Sequence, residues 1–236
     1  MGKRLVQQRR GRGSPTYRSP SFRFKGEVKH PAVPGATTGT VTDLVHCAGH
    51  SAPLMEVSYL SGGNGLAFAP EGIRVGDEIS IGSSTEFKNG DVVALKDIPE
   101  GTLIHNIELK PADGGKLVRA SGSFARIISK TEDSVRIKLP SKKEKLFPPG
   151  CRASIGIVAG SGRTEKPFLK AGTRYHRMRA RNKLYPIVCG ISMNAVDHPF
   201  GGKCSHIKGR PTLSPRNAPP GRKAGKIAPR RTGRRR

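Results

Sequence analysis

The chain has 236 residues, of which 34% are hydrophobic and 5% aromatic, and it contains no tryptophan. A single hydrophobic core through the whole chain is therefore not expected, and no stretch approaches the roughly 20 apolar residues that a membrane-spanning helix needs. The basic start of the chain has no apolar run behind it, which argues against a secretory signal. We therefore expect a cytoplasmic protein of one or two domains with no membrane partner.

The charge is distributed in three parts. Residues 1–26 contain eight Lys or Arg and no acid, residues 27–165 contain 16 residues of each sign, and residues 166–236 contain 19 Lys or Arg and one acid, Asp197. The formal net charge is +26. A neutral middle can fold, whereas ends this basic repel themselves unless they lie along a polyanion. Nucleic acid is the partner that this pattern favours.

Residues 1–36 are predicted to form a basic RNA-binding arm. Glycines and prolines between residues 11 and 20 block a helix, so we expect an extended chain. Basic residues alternate with Tyr17, Phe22 and Phe24, which suits contacts of cations with phosphate and of rings with exposed bases. The competing interpretation is a disordered, solubilising tail.

Residues 37–85 are predicted to form a small β-barrel, with an OB-fold as the first candidate. Short β-branched or alternating segments are separated here by glycine-rich turns. The strand candidates are residues 40–45, 54–60, 66–69 and 78–81.

Residues 86–170 are predicted to form a second, SH3-like barrel, with a boundary near residues 82–90. Turn sequences rich in Gly, Pro and Asp separate its strand candidates. These are residues 91–95, 102–108, 116–120, 125–129, 134–139, 145–147 and 154–158. The expected fold class is mainly β: an OB-fold barrel followed by an SH3-like barrel, with long irregular basic N- and C-terminal extensions.

Residues 171–236 are predicted to be a basic extension that penetrates RNA. The one helix candidate, residues 166–184, has basic residues on every face and is interrupted by Gly172, so we expect a short basic helix or a loop ordered by RNA. Residues 190–236 are rich in Gly, Pro and Arg and are not expected to fold without a partner. The competing interpretation is a nuclear-localisation or DNA-condensing tail.

Two Cys–His pairs invite a metal interpretation. Cys47 precedes His50 by three residues and Cys204 precedes His206 by two, and four such ligands can bind zinc tetrahedrally. Neither spacing matches a common zinc motif, and no Cys-x-x-Cys pair occurs. We therefore expect reduced, unliganded cysteines and no cofactor, with zinc as the competing interpretation and with Mg²⁺ or K⁺ belonging to the RNA.

Two other motifs suggest enzymes. Residues 160–163 (GSGR) are similar to a phosphate loop but lack its Gly-Lys-Ser/Thr ending. Asp197 beside His198 suggests a general base, yet adjacent residues seldom hydrogen-bond productively and no nucleophile accompanies them. We expect no enzyme and no catalytic residue, with direct His198 chemistry as a minor alternative.

Eight motifs in one order carry a resemblance that covers nearly the whole chain. They are QRRGRG (8–13), APEG (69–72), IPEG (98–101), GGK (114–116), CRA (151–153), KAG (170–172), MNAVDHP (193–199) and RNAPPGRK (216–223). With them the chain resembles the universal ribosomal large-subunit protein two family in its archaeal and eukaryotic form. Many members of that family read His-Pro-His-Gly-Gly where this chain has Phe200 in place of the second His.

The resemblance implies the two barrels already expected, with both extensions buried in large-subunit ribosomal RNA. It implies a primary RNA-binding protein that contacts neighbouring ribosomal proteins and the small subunit across an intersubunit bridge. Such a protein supports subunit association, tRNA binding and the architecture of the peptidyl transferase region. The His of the Asp-His-Pro motif was once proposed as catalytic, and Phe200 argues against a mechanism that needs two imidazoles.

The candidate RNA contacts are cations of both ends and a tight loop near the functional centre. The loop residues are Asn194, His198, Gly201 and Gly202. The cations are Arg9, Arg10, Arg12, Arg174, Arg177, Arg179, Arg181, Arg210, Arg216, Arg222, Lys223, Arg230 and Arg231. The alternative function is a general nucleic-acid-packaging protein, which would share the charge but would not need two neutral β domains.

Overall fold

The computed structural model describes residues 6–31, 35–82, 86–202 and 213–229. By compactness the chain divides into two units. Ser21–Pro167 forms the central unit, and Met1–Pro20 together with Phe168–Arg236 forms the terminal unit. The finer division at residues 36, 85 and 170 stays a prediction.

The central unit is built on a ten-stranded sheet with the order β3-β2-β1-β4-β5-β10-β6-β7-β8-β9. The strands are β1 (Thr37–Val45), β2 (Leu54–Tyr59), β3 (Asn64–Phe68), β4 (Glu78–Gly82), β5 (Val92–Ala94), β6 (Leu103–His105), β7 (Ala125–Lys130), β8 (Val135–Lys138), β9 (Glu144–Phe147) and β10 (Arg152–Ile155). A parallel pairing of β4 with β5 joins the first four strands to the last six. The mainly β class is confirmed, with an OB-fold barrel followed by an SH3-like barrel.

The OB-fold half depends on the long first strand. β1 pairs with β4 over residues 37–40 and with β2 over residues 39–45, and its register with β2 shifts between Val41 and Asp43. Such a bulge bends the strand and increases its local twist. Gly39 permits close packing at the crossing, because a Cβ there would lie 2.6 Å from Cγ1 of Val57. Val41, Val57 and Ile79 form part of the buried core of this half.

The SH3-like half has a larger apolar core. Its fully buried members include Val93, Ile104, Ile127, Ile137 and Ala153. Ile127 and Ile137 alternate with exposed residues along β7 and β8, which is the pattern of strands that bury one face.

One predicted strand is wrong. Residues 116–120 form only a single bridge, between Ile107 and Leu117. Asn106 and Val118 adopt left-handed backbone conformations, with φ of 48° and 56°. A residue in this conformation cannot continue a β ladder, so β6 is also shorter than the predicted segment 102–108.

The terminal unit contains little regular structure. Its elements are α1 (Val6–Gly11), α2 (Ala171–Ala180), a 3₁₀ turn (Gly190–Ser192), β11 (Leu213–Ser214) and β12 (Lys226–Ile227), the last two paired in parallel. The expectation of an extended start is wrong over α1, because the residues that block a helix begin only at Gly11, where the helix ends. Gly172 lies in the first turn of α2 and does not interrupt it. Neither described helix has the length or apolar character to span a bilayer.

The terminal unit also lacks an apolar core among the residues described. Ser214 and Ala218 are its only buried residues there. Leu169 and Ile187 are more than four-fifths exposed, at 92% and 82%. Hydrophobic burial therefore contributes little to the order of the described part of this unit.

Candidate nucleic-acid interface

α2 contains several cations and no acidic residue. Its sequence is AGTRYHRMRA, it contains no buried residue, and its last turn holds Arg177 and Arg179. Cations near a helix C-terminus interact favourably with the helix dipole. Arg174, Arg177 and Arg181 are spaced by three and four residues, so they lie on one side of the helix. Arg174 and Arg179 are exposed and Arg177 is half-buried.

Asn182 ends the helix and connects it to the N-terminal arm. It adopts a left-handed conformation with φ of 49°. Its amide donates to the carbonyl of Arg179 at 3.0 Å, and the amide of Lys183 donates to that of Met178 at 2.8 Å. This is a Schellman motif, in which Asn takes the position usually held by Gly. The side-chain Nδ2 of Asn182 lies 3.1 Å from the carbonyl of Pro15 and 2.5 Å from that of Arg18.

Aromatic rings accompany these cations. The guanidinium of Arg174 lies 5.3 Å from the ring centre of Tyr185, a cation–π contact. The rings of Tyr175 and His176 contact each other edge to face, and Tyr175 is exposed. Exposed rings beside arginines suit a surface on which unpaired bases can stack.

The loop over residues 193–202 is closed by backbone hydrogen bonds. The carbonyl of Asn194 accepts from the amides of Asp197 and His198, at 2.9 and 3.2 Å. The amide of Gly202 donates to the carbonyl of Met193 at 3.2 Å. A Cβ at Gly201 would collide with the carbonyls of Met193 and Asn194, so this tight closure requires glycine. The structure thus brings the four predicted loop residues together.

His198 is oriented by the loop itself. The amide of Phe200 donates to its Nδ1 at 3.0 Å, so a neutral ring carries its proton on Nε2. The ring packs on Gly190, where a Cβ would overlap it, and lies 5.2 Å from the ring of Phe200. Nε2 is left as a donor on a fixed, half-buried ring.

Residues 213–229 form a loop whose two ends, β11 and β12, pair in parallel. Oγ of the buried Ser214 lies 2.6 Å from the carbonyl of Arg222 and 2.8 Å from that of Ala224. The amides of Arg222 and Lys223 both donate to the carbonyl of Pro219. Arg222 is exposed, as is Arg216, and Lys223 is half-buried. Polar contacts with the backbone, rather than apolar packing, order this segment.

The remaining predicted cations divide into two groups. Arg9, Arg10 and Arg12 lie in or beside α1 and are exposed. Arg210, Arg230 and Arg231 lie outside the described residues, as do Cys204 and His206.

The Cys47–His50 pair is hydrogen-bonded within the OB-fold half. Nδ1 of His50 lies 3.1 Å from Sγ of the buried Cys47. Within the described ranges no three His, Cys, Asp or Glu side chains come together as a metal-binding group. Burial raises the pKa of the Cys151 thiol to about 11, so this cysteine is held as a thiol rather than as a thiolate ligand.

Sequence reasoning missed a buried ion pair in the SH3-like half. The carboxylate of Glu108, which is fully buried, accepts hydrogen bonds from Nη2 of Arg152 at 2.9 Å, from Nε at 3.2 Å and from the Arg152 amide at 2.8 Å. The amides of Ala112 and Gly114 also donate to it. Burial alone would raise the pKa of Glu108, but the hydrogen bonds and charge of Arg152 hold that pKa below its usual range. The signal available was the CRA motif, which contains Arg152.

Comparison with known proteins identifies the family. The model of the C-terminal domain of ribosomal proteins L2 matches residues 88–222. The chain is 52% identical over 237 residues to the large ribosomal subunit protein uL2 of Methanococcoides burtonii, and 51% identical over 241 residues to that of Methanothermobacter thermautotrophicus. Both alignments cover 100% of this chain and of the relative. The uL2 protein of Halorubrum lacusprofundi is 49% identical over 99% of this chain and 98% of its own length.

These relatives are archaeal and match from end to end, which confirms the resemblance drawn from the eight motifs. The chain belongs to the uL2 family of large-subunit ribosomal proteins.

Proposed function

We propose that this chain is a structural constituent of the large ribosomal subunit, without enzymatic activity, that binds ribosomal RNA mainly through its terminal unit. It acts in the cytoplasm, on the ribosome, with neighbouring ribosomal proteins as further partners. One observation carries the RNA contacts: the terminal unit presents many exposed cations, while the sequence supplies it with a single acid, Asp197.

Family membership and electrostatics support the same assignment. RNA is the polyanion that a ribosomal protein meets, and each phosphate contact releases counterions from the RNA. The arginines of α1 and α2 and of residues 213–229 are therefore the proposed phosphate contacts. The two barrels, whose charges balance, form the folded body that docks on the RNA surface.

The loop around His198 is proposed to support the peptidyl transferase region structurally. The Nε2–H of His198 is the proposed donor to an RNA acceptor, and the family resemblance, which implies that this extension lies near that centre, supports the proposal. The same resemblance supports proposed roles in subunit association, in tRNA binding and in a bridge to the small subunit. No cofactor of the protein's own is part of the proposal.

Co-sedimentation tests the assignment as a whole. A tagged full-length chain is expressed in an archaeal host, and lysates are separated on sucrose gradients in moderate salt and after a high-salt wash. We expect retention in the large-subunit peak after the wash, because buried arms dissociate slowly. Release into the soluble fraction, or migration with genomic DNA, would favour the packaging alternative and contradict the proposal.

The salt dependence of RNA binding tests the individual contacts. The binding constant K of the full-length chain for large-subunit RNA is measured at several salt concentrations. We expect Arg177→Gln to reduce the magnitude of the slope of log K against log salt concentration by about 1, as for the loss of one phosphate contact. Lys88→Gln is the matched control, because that ammonium is paired with Glu86 at 3.6 Å in the central unit. Equal slopes for the wild type and Arg177→Gln would remove Arg177 from the proposed phosphate contacts.

A further inference from the structure

Residues 24–31, which fall within the predicted arm of residues 1–36, cross both barrels of the central unit; we call them the strap. At one end the strap packs on the OB-fold half: a Cβ at Gly49 would lie 2.8 Å from the Phe24 ring, and one at Gly26 would lie 2.7 Å from Cδ1 of Leu66. At its other end the amide of His30 donates to the carbonyl of Gly114 in the SH3-like half, at 3.0 Å.

The middle of the strap is part of the hydrophobic core. Val28 is 1% exposed and clusters with Leu54, Phe68 and Val158. His30 is also buried, and its Nε2 lies 2.6 Å from the carbonyl of Asn106. The strap is therefore a fixed element of the central unit.

Two arginines hold the backbone of the strap. Nη2 of Arg119 donates to the carbonyl of Val28 at 2.9 Å, and Nη1 of Arg152 donates to that of Pro31 at 2.7 Å. The Arg119 guanidinium also donates to Gly115 and lies 5.1 Å from the Phe68 ring centre. Arg152 is fixed in turn by the buried Glu108.

We infer that Arg119 and Arg152 are positioning residues for RNA binding. They hold the strap and thereby fix the point from which residues 1–20 reach the RNA, instead of contacting phosphate themselves. Their donors face carbonyls and a carboxylate, and the side chain of Arg152 is only 18% exposed. A tethered segment binds a defined site well only when its anchor is placed correctly. The inference rests on the proposed function.

Directed cleavage of RNA by a tethered iron chelate tests this inference. The full-length chain, with Cys189 and Cys204 replaced by Ala, carries the chelate either on the arm through Ser14→Cys or on the SH3-like barrel through Ser141→Cys; both serines are exposed. Each protein is bound to the large-subunit RNA transcript. Arg119→Met and Arg152→Gln are compared with Arg136→Gln, an exposed arginine of the same barrel that lies 4.0 Å from Glu144.

We expect discrete cleavages from both tether positions with the strap intact. Arg119→Met and Arg152→Gln should lose the Ser14→Cys cleavages severalfold while keeping those from Ser141→Cys, and Arg136→Gln should change neither. Arg152→Gln leaves the buried Glu108 carboxylate without its ion-pair partner, which can prevent folding, whereas the described contacts of Arg119 are with carbonyls and a ring. Arg119→Met therefore tests the inference even where Arg152→Gln does not fold.

An unchanged arm pattern in Arg119→Met would overturn the inference. Loss of both patterns together in that variant would assign Arg119 to barrel folding and overturn it as well. Failure of the proposed function gives a different result, because the protein with an intact strap would then produce no discrete cleavage from either position.

Discussion

Two buried histidines set the pH response of the central unit. His30 and His105 each place a ring nitrogen near a backbone carbonyl, that of Asn106 and that of Gly156 respectively. Burial lowers the pKa of both to about 4. Since an unfolded imidazole binds a proton near pH 6.5, the folded unit holds both rings neutral at pH values where the unfolded chain is already protonated.

This difference predicts a loss of stability in mild acid. The free energy of unfolding is highest above pH 6.5, where both rings are neutral in either state. As the pH falls toward 4, the unfolded chain takes up protons first, and each histidine lowers the free energy of unfolding by up to about 3 kcal/mol. Urea unfolding of the full chain at pH 7 and pH 4.5 measures it. We expect His105→Gln to reduce the difference between the two pH values, whereas His46→Gln, at an exposed position, should leave it unchanged. Equal pH dependence in both variants would contradict the assignment.

At the scale of single residues, the sequence identifies the cations but does not distinguish those that face solvent from those that hold the fold together. Arg177 and Arg152 both count toward the net charge of +26. One lies on a helix with no acid, and the other is held by Glu108, which is 44 residues away in the chain. Only the fold brings such distant partners together, so the strap arginines and His30 could not be assigned from the sequence.

Among the elements, α2 shows how one side chain can end a helix and organise its surroundings. Asn182 provides the left-handed residue and then donates to the carbonyls of Pro15 and Arg18. The first role depends on backbone conformation and the second on the amide side chain. Substitutions can therefore separate them.

Asn182→Gly and Asn182→Ala are predicted to differ at the helix end. Glycine keeps the left-handed conformation and loses only the side-chain contacts, whereas alanine in that conformation costs roughly 1 kcal/mol and favours further helix. We expect Cα chemical shifts of the labelled chain to show helix continuing past Lys183 in Asn182→Ala but stopping at Arg181 in Asn182→Gly. Identical shifts in the two variants would mean that the Schellman motif does not set the helix end.

The strands were predictable where a single periodicity governs them. β7 and β8 alternate buried and exposed residues, and their predicted positions are confirmed within one residue at each end. Residues 116–120 have the composition of a strand, yet the left-handed Val118 breaks the ladder. Nothing local distinguishes that valine, whose carbonyl accepts from the amide of Asn106 at 2.9 Å, a contact between residues 12 positions apart.

At the scale of the whole molecule, order has two different origins. The central unit has apolar cores in both halves, whereas the described terminal unit is held by turns and backbone contacts. Elements with few buried apolar contacts open at low free-energy cost. The free protein should therefore consist of a stable centre and ends that open readily.

Hydrogen exchange of the full chain is expected to show this contrast. Amides of β2, β7 and β8 should open with free energies of several kcal/mol, and those of α2 with roughly 0–1 kcal/mol, in the absence of RNA. Adding the large-subunit RNA should protect α2 strongly and change the barrel strands little. Strong protection of α2 in the free protein would mean that the terminal unit is ordered without RNA.

The contact of Asn182 with Pro15 also dictates an order of events during synthesis. The two residues are 167 positions apart in the chain, so the basic arm leaves the exit tunnel long before its partner is made. At ordinary elongation rates of about 5–20 residues per second, the interval is on the order of 10–30 s. For that time the nascent basic arm is made but lacks its contact with Asn182, so this part of the terminal unit can close only after residue 182 has been added.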